Sequence, residues 1–96
     1  MMGATIRSAA PYRVEGENGV QVDLLLQTDE VMYVVEIKRR KEIRPSIIEE
    51  VRAKIAKIRR PKRISVRKGL VYAGELSPSV RRTGYFDALI DIDTMI

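Results

Sequence analysis

Residues 20–40 place charged side chains inside two apolar runs, and this pattern constrains the fold more than any other feature of the chain. Both runs alternate as β-strands do, and residues 28–30 supply a turn between them, so the stretch predicts a hairpin. Asp23 lies in the first strand, whereas Glu36 and Lys38 project from one face of the second. A buried charge is unfavourable unless it is paired or binds a metal, so we expect the three side chains to converge.

Alternation also predicts which residues of the hairpin share a face. In the first strand, one face is expected to hold Val20, Val22, Leu24 and Leu26, and the other face Gln21, Asp23, Leu25 and Gln27. In the second strand, the face that carries the charges is expected to hold Met32, Val34, Glu36 and Lys38.

Composition narrows the possible chemistry. The 96 residues suffice for one domain, residues 1–96, and a hydrophobic fraction of 45% is typical of a globular protein. The chain has no cysteine and no histidine, which excludes disulfides, thiolate–zinc sites and imidazole catalysis. No apolar run reaches the roughly 18 residues of a membrane span, and residues 1–13 lack the apolar stretch of a signal peptide. We therefore expect a cytoplasmic protein whose chemistry comes from carboxylates, lysine, hydroxyls and a hard cation.

Positive charge is concentrated in one part of the sequence. The net charge is +5, and the window of residues 38–68 holds fourteen basic residues against three acidic ones. Such a block favours a polyanion such as nucleic acid as the partner. An Arg-rich solvated face on a heat-adapted protein is the alternative interpretation.

The segments before the hairpin are short. Residues 1–10 are expected to be loosely ordered, and residues 11–15 to form a short strand. The sequence "GENG" at residues 16–19 is typical of a turn.

A capped amphipathic helix is predicted after the hairpin. Ser46 is the expected N-cap, and Glu49 completes a capping box with it. An apolar stripe at helical spacing comprises Ile47, Ile48, Val51, Ile55 and Ile58. Glu50 and Lys54 are expected to form an i,i+4 pair, and Pro61 is expected to end the helix.

The remaining sequence completes an α/β pattern. Residues 64–74 predict a strand covered on both faces, residues 77–84 a short helix and residues 85–93 a last strand. A helix between two such strands is typical of a crossover to a parallel neighbour. The predicted fold is a mixed sheet with a three-stranded meander, a crossover helix and a parallel strand.

An acid on the second strand followed by Glu-x-Lys on the third resembles the PD-(D/E)XK nuclease superfamily. Here the motif is Asp23, twelve intervening residues, and Glu36-Ile37-Lys38. The wider stretch "YRVEGENGVQVDLLLQTDEVMYVVEIKRR" is similar to the nuclease-like domains at the C-terminal ends of many archaeal and bacterial AAA-type ATPases. The resemblance implies a restriction-endonuclease-like fold, a metal-dependent nuclease activity and an AAA-type ATPase as a protein partner.

The resemblance also assigns roles to residues. Asp23 and Glu36 are expected to bind Mg²⁺ or Mn²⁺, and the Ile37 carbonyl supplies a further oxygen ligand. Lys38 is expected to face the attacking water and the scissile phosphate. The nucleic acid, expected to be DNA, is assigned to Arg39, Arg40, Lys41, Arg44, Arg52, Arg59 and Arg60.

Two departures from the family pattern leave an alternative function open. Family members have a helix before the first strand, often with a further glutamate; here that helix is short or missing, and Glu15 or Glu17 is the available substitute. The predicted crossover helix has no glutamine, which leaves Gln21 as the polar neighbour of Asp23. The alternative is a catalytically inactive module for nucleic-acid binding or association with an AAA-type ATPase.

A missing helix also predicts self-association. One sheet face lacks a cover, which is expected to expose Val22, Leu24, Val35 and Leu70 in a monomer. A homodimer is the expected solution, and a domain that belongs to a longer chain is the alternative.

Overall fold

The computed structural model describes residues 6–15 and 19–94, which form one mixed sheet with helices packed against it. In chain order the elements are β1 (Ser8–Val14), β2 (Val20–Gln27), β3 (Val31–Ile43), α1 (Ser46–Lys57), β4 (Ser65–Leu76), α2 (Pro78–Thr83), β5 (Ala88–Asp91) and a 3-10 turn (Ile92–Thr94). The predicted α/β class and the predicted order of elements are confirmed. Neither helix α1 nor helix α2, in the part of the chain described, is long and apolar enough to cross a membrane.

The strands lie in the sheet in chain order. β1, β2 and β3 are antiparallel neighbours, whereas β3, β4 and β5 run parallel to one another. α1 connects β3 to β4, as the predicted crossover helix does, and α2 connects β4 to β5. Within residues 6–15 and 19–94, no helix precedes β1.

Both helices pack on the same face of the sheet. Leu70 and Tyr72 of β4 share one buried cluster with Val51 of α1 and Val80 of α2. A second buried cluster lies under the C-terminal end of α1 and consists of Val20, Val22, Met32, Val34, Ile58 and Ile64. The apolar stripe predicted for α1 is therefore its packing surface.

The opposite face of the sheet lacks a cover from α1 or α2 and is apolar at its centre, with Arg67 paired to Tyr33 towards one end and Arg39 paired to Ala73 towards the other. Cross-strand pairs on this open face join Leu24 to Val35, Leu26 to Tyr33, and Ile37 to Val71, which is in turn paired with Ile90. The exposed fractions reach 48% for Ile37 and 40% for Ile90. Leu24 and Val35 lie on this face as predicted. The predicted exposure of Val22 and Leu70 is wrong, because both are fully buried on the helix side.

A bulge in β2 changes the predicted alternation. Leu25 is paired with Ala10 and Val22 with Tyr12, so β2 contains one more residue than β1 between these two pairs. The extra residue brings Leu25 onto the helix side, where it packs against the same cluster that contains Val22. The prediction that these two residues lie on opposite faces was therefore wrong.

The strand limits differ from the prediction at two places. Of residues 1–10, which were expected to be loosely ordered, residues 8–10 belong to β1 and pair with β2, whereas residues 1–5 lie outside the described residues. β3 continues five residues beyond the predicted end at Lys38, to Ile43, paired with β4 as far as Leu76. Residues 16–18 of the predicted "GENG" turn, including Glu17, lie outside the described residues.

Helix α1 begins without the predicted capping box. Pro45 occupies the N-cap position, and no side chain caps the first turn. Glu49 instead forms an ion pair with Arg52, one turn further along the helix. The helix ends at Lys57, and Ile58 is already extended, so the helix stops before Pro61.

Candidate active site

The pairing of β2 with β3 ends at the residues predicted to form the site. Main-chain pairing runs from Gln27–Met32 to Leu24–Val35, although β2 and β3 both continue. Beyond that point, the Ile37 amide donates a hydrogen bond to Oδ2 of Asp23 at 2.8 Å. The Asp23 carboxylate thus takes the place of a main-chain acceptor at the end of the ladder. This brings it beside the Glu-x-Lys segment.

Glu36 lies on the helix side of β3 and is fully buried. The Nζ atom of Lys54 on α1 lies 2.9 Å from each carboxylate oxygen of Glu36. The Nζ atom of Lys38 lies 3.6 Å from Oε2 of Glu36. The Lys54 and Lys38 side chains retain exposed fractions of 27% and 18%, so both ammonium groups are near solvent. Glu36, Lys38 and Lys54 are therefore in ionic contact, and Asp23 adjoins them through the main chain of Ile37. These four residues are called the cluster.

The four side chains balance in charge, with two carboxylates and two ammonium groups. Burial of Glu36 is tolerated because both of its oxygens accept charge-assisted hydrogen bonds. Throughout the described chain, no buried side-chain nitrogen or oxygen atom lacks a hydrogen-bond partner. The cluster is thus satisfied without any added group.

The oxygen atoms of the cluster suit a hard divalent cation, but the two carboxylate oxygens of Glu36 already bind another group. Carboxylate oxygens of Asp23 and Glu36 and the Ile37 carbonyl are the ligand types that Mg²⁺ and Mn²⁺ prefer. Both Glu36 oxygens, however, are bonded to Lys54. A cation therefore fits only when the Lys54 ammonium moves away, which its partial exposure permits. No group of three or more Asp or Glu side chains in the described residues is arranged as a metal site.

Lys54 is a member of the cluster that was not predicted from the sequence. The predicted Glu50–Lys54 pair is wrong, since Glu50 lies 3.8 Å from Arg40 and Lys54 binds Glu36. The helical periodicity does indicate that Lys54 lies close to the packed side of α1. At about 100° per residue, Lys54 lies about 60° from Val51, at the margin of the apolar stripe and not on the solvent side.

Except for Arg52, the basic residues predicted to bind nucleic acid divide into two patches. The first patch, at the C-terminal end of β3, consists of Arg39, Arg40, Lys41 and Arg44, which are all exposed. The second patch lies in the α1–β4 connection and includes Arg59 and Arg60. This connection returns to the start of β3, where the Ser65 amide bonds to the Glu30 carbonyl. The patches are about 30 Å apart at ~3.3 Å per strand residue, and the first adjoins the cluster.

Arg52 belongs to neither patch. Its guanidinium is ion-paired with Glu49 and lies 5.1 Å from the centre of the Tyr85 ring. Lys68 lies 4.8 Å from the same ring, and partial burial raises the pKa of the Tyr85 hydroxyl. Tyr85 is partly buried and packs against the first buried cluster.

Asp91 and Asp93 have a local structural role. Oδ1 of Asp91 accepts a hydrogen bond from the Asp93 amide at 2.9 Å, which shapes the turn after β5.

No protein-family model, curated protein or solved structure matches this chain.

Proposed function

We propose that the chain is a metal-dependent nuclease-like domain that hydrolyses phosphodiester bonds in nucleic acid. The observation that carries the proposal is the position of Asp23, whose carboxylate lies where the β2–β3 ladder ends and accepts a hydrogen bond from the amide of Ile37, the residue between Glu36 and Lys38. The arrangement of three antiparallel strands, a crossover helix and a parallel strand supports a restriction-endonuclease-like fold. The resemblance of the Asp23 and Glu36-Ile37-Lys38 motif to the nuclease superfamily supports both the nuclease function and this fold.

Each residue of the cluster has a defined part in this function. Asp23 and Glu36 hold the cation, with the Ile37 carbonyl as a further oxygen ligand. When bound, Mg²⁺ or Mn²⁺ supplies positive charge that stabilises the phosphate in the transition state. Lys38 donates hydrogen bonds from a partly exposed ammonium group, which orients the attacking water and a phosphate oxygen.

The first basic patch supplies the substrate-binding surface. Arg39, Arg40 and Lys41 follow Lys38 directly in β3 and are exposed. Cationic side chains bind phosphates without reading base sequence, so the patch suits nucleic acid, with DNA as the expected form. The same resemblance supports an AAA-type ATPase as protein partner.

A second candidate function is a non-catalytic module that binds nucleic acid or an ATPase. The observation that favours it is the bidentate contact of Lys54 with Glu36, which satisfies the buried carboxylate without a metal. In that case Glu36 holds α1 against the sheet, and the basic patches carry the function.

Cleavage of a panel of single-stranded, duplex and branched DNA and RNA distinguishes the two functions. With Mg²⁺ or Mn²⁺, the nuclease proposal predicts cleavage that EDTA abolishes and that falls at least about 100-fold in Lys38→Ala, the scale of general acid–base contributions. Lys57→Ala, which removes the same charge from the end of α1, should cleave normally. Binding without metal-dependent cleavage of any substrate would leave the non-catalytic module as the better account.

A further inference from the structure

Lys54 makes the closest ionic contact in the cluster. Its Nζ atom is equidistant, at 2.9 Å, from the two oxygens of Glu36, whereas Lys38 lies at 3.6 Å from one of them. A bidentate contact of this kind places the ammonium on the axis of the carboxylate, which is also where a cation bound by both oxygens lies. Lys54 therefore occupies the position that a metal bound to Glu36 needs.

We propose that Lys54 is an internal counter-ion of the site, which neutralises Glu36 in the metal-free protein and is displaced when a divalent cation binds. This inference rests on the proposed function, because it assumes that Asp23 and Glu36 take a metal. Lys54 thereby sets the metal concentration at which the site fills.

The energetics follow from the burial of Glu36. A fully buried carboxylate is strongly unfavourable without cationic partners, and Lys54 is the nearer of the two partners of Glu36, so the metal-free protein is stabilised by the ammonium of Lys54. The same contact competes with the metal, because the cation must replace two charge-assisted hydrogen bonds. Removal of Lys54 therefore has two linked effects: the metal-free protein becomes less stable, and the site binds metal more tightly.

Displacement is compatible with the packing of α1. Lys54 lies at the margin of the apolar stripe and its side chain is 27% exposed, so the ammonium reaches solvent by rotation about side-chain bonds. The buried residues of the helix, Ile47, Ile48 and Val51, keep their contacts. The released ammonium remains beside the first basic patch, where phosphate groups are expected.

The test is a comparison of Mn²⁺ binding to the wild-type chain and to Lys54→Met, measured by electron paramagnetic resonance and by thermal unfolding with and without Mn²⁺. We expect Lys54→Met to unfold at a lower temperature without metal. We expect Mn²⁺ to bind it about tenfold more tightly than wild type, within the range by which neighbours of metal ligands change affinity. Mn²⁺ should also raise its unfolding temperature more than that of wild type.

Two control variants identify the source of any effect. Lys57→Met removes the same charge from the next turn of α1 and should bind Mn²⁺ as wild type does. Glu36→Gln combined with Lys54→Met removes both members of the pair, should fold without metal, and should lose the tighter Mn²⁺ binding. If Lys54→Met folds only when refolded with Mn²⁺, that result also supports the proposal, and failure to fold with Mn²⁺ overturns it.

Unchanged or weaker Mn²⁺ binding by Lys54→Met overturns the proposal, because it makes Lys54 a permanent structural partner or a metal-site support. The outcome is separable from that of the proposed nuclease function. Tighter Mn²⁺ binding without cleavage by the wild-type chain supports the counter-ion role and contradicts the nuclease. Cleavage by the wild-type chain, together with unchanged Mn²⁺ binding by Lys54→Met, supports the nuclease and contradicts the counter-ion role of Lys54.

Discussion

At the scale of single residues, Glu36 is the most constrained polar group in the described chain, because it is fully buried and bonded to Lys54 through both oxygens. Glu36→Gln leaves Lys54 without its anionic partner. The cost is expected to be about 1–3 kcal/mol, below that of breaking a fully buried pair, because Lys54 reaches solvent. Urea unfolding measures this loss.

The control variant is Glu50→Gln, whose partner Arg40 is 3.8 Å away at the surface. It should change the free energy of unfolding by less than about 0.5 kcal/mol. Equal losses in the two variants would contradict this account of Glu36.

The residue-level contacts show which parts of the site the sequence predicts and which it does not. The spacing of Glu36 and Lys38 on one strand face is a property of local alternation, and the hairpin turn is enough to bring Asp23 beside them. The Lys54 contact joins residues eighteen positions apart, and it depends on how α1 crosses the sheet. Helical periodicity alone gives no such crossing angle. The local i,i+4 spacing therefore predicted Glu50, and not Glu36, as the partner of Lys54.

At the scale of elements, the alternating runs, turns and helical stripe predicted the order of strands and helices. The two bulges were not predicted, because a bulge depends on pairing with another strand. In the second one, β3 gains a residue relative to β4 between the pairs Arg39–Ala73 and Glu42–Glu75. This bulge brings the main chain of β3 close to Gly74.

The second bulge makes Gly74 the most restrictive glycine of the sheet. A Cβ atom at this position would lie 1.7 Å from the Arg40 carbonyl oxygen, and its φ of +119° disfavours any side chain. We expect Gly74→Ala to lower the free energy of unfolding by about 3 kcal/mol or more. The matched variant is Gly84→Ala, where φ is +67° and no atom lies within 4 Å, so only about 1–2 kcal/mol is expected. Chemical denaturation of both variants tests this order, and an equal or smaller loss for Gly74→Ala would show that the bulge rearranges freely.

At the scale of the whole molecule, folding divides the basic stretch of the sequence into two patches at opposite ends of β3. The proposed function assigns substrate binding to the patch beside Glu36 and Lys38. A variant with Arg39, Arg40 and Lys41 changed to alanine should therefore bind nucleic acid at least about tenfold more weakly than wild type, and its dependence of affinity on salt should become shallower. Fluorescence anisotropy at several salt concentrations measures both quantities.

The matched control for this experiment uses the second patch. A variant with Arg59, Arg60 and Lys62 changed to alanine loses the same charge about 30 Å away along β3. It is expected to retain more affinity than the first variant. The opposite order would assign nucleic-acid binding to the α1–β4 connection, and flat affinity between low and moderate salt in the wild type would argue against nucleic acid as the partner.

The open face of the sheet predicts a homodimer. Its centre presents the paired residues Leu24 and Val35, and Ile37, Val71 and Ile90, and a contiguous exposed apolar patch of this kind commonly marks an interface. The paired residues at its centre are uncharged, so a second copy covers this centre without burying an unpaired charge.

Light scattering at tens of micromolar should give twice the chain mass. Ile37→Ser should shift this towards the monomer, whereas Ile6→Ser, an equally drastic change at an exposed position before β1, should not. A monomeric wild type without aggregation would contradict the dimer.

The central claim is that Asp23 and Glu36 together bind the divalent cation on which nucleic-acid hydrolysis depends. The most direct measurement is a Mn²⁺ titration of the wild-type chain and of Asp23→Asn, followed by electron paramagnetic resonance. The proposal predicts one saturable Mn²⁺ site in the millimolar range or tighter in the wild type, and its loss in Asp23→Asn, because the amide removes a charged ligand while it still accepts the hydrogen bond from Ile37. Absence of Mn²⁺ binding at millimolar concentration, or binding that Asp23→Asn leaves unchanged, would contradict it.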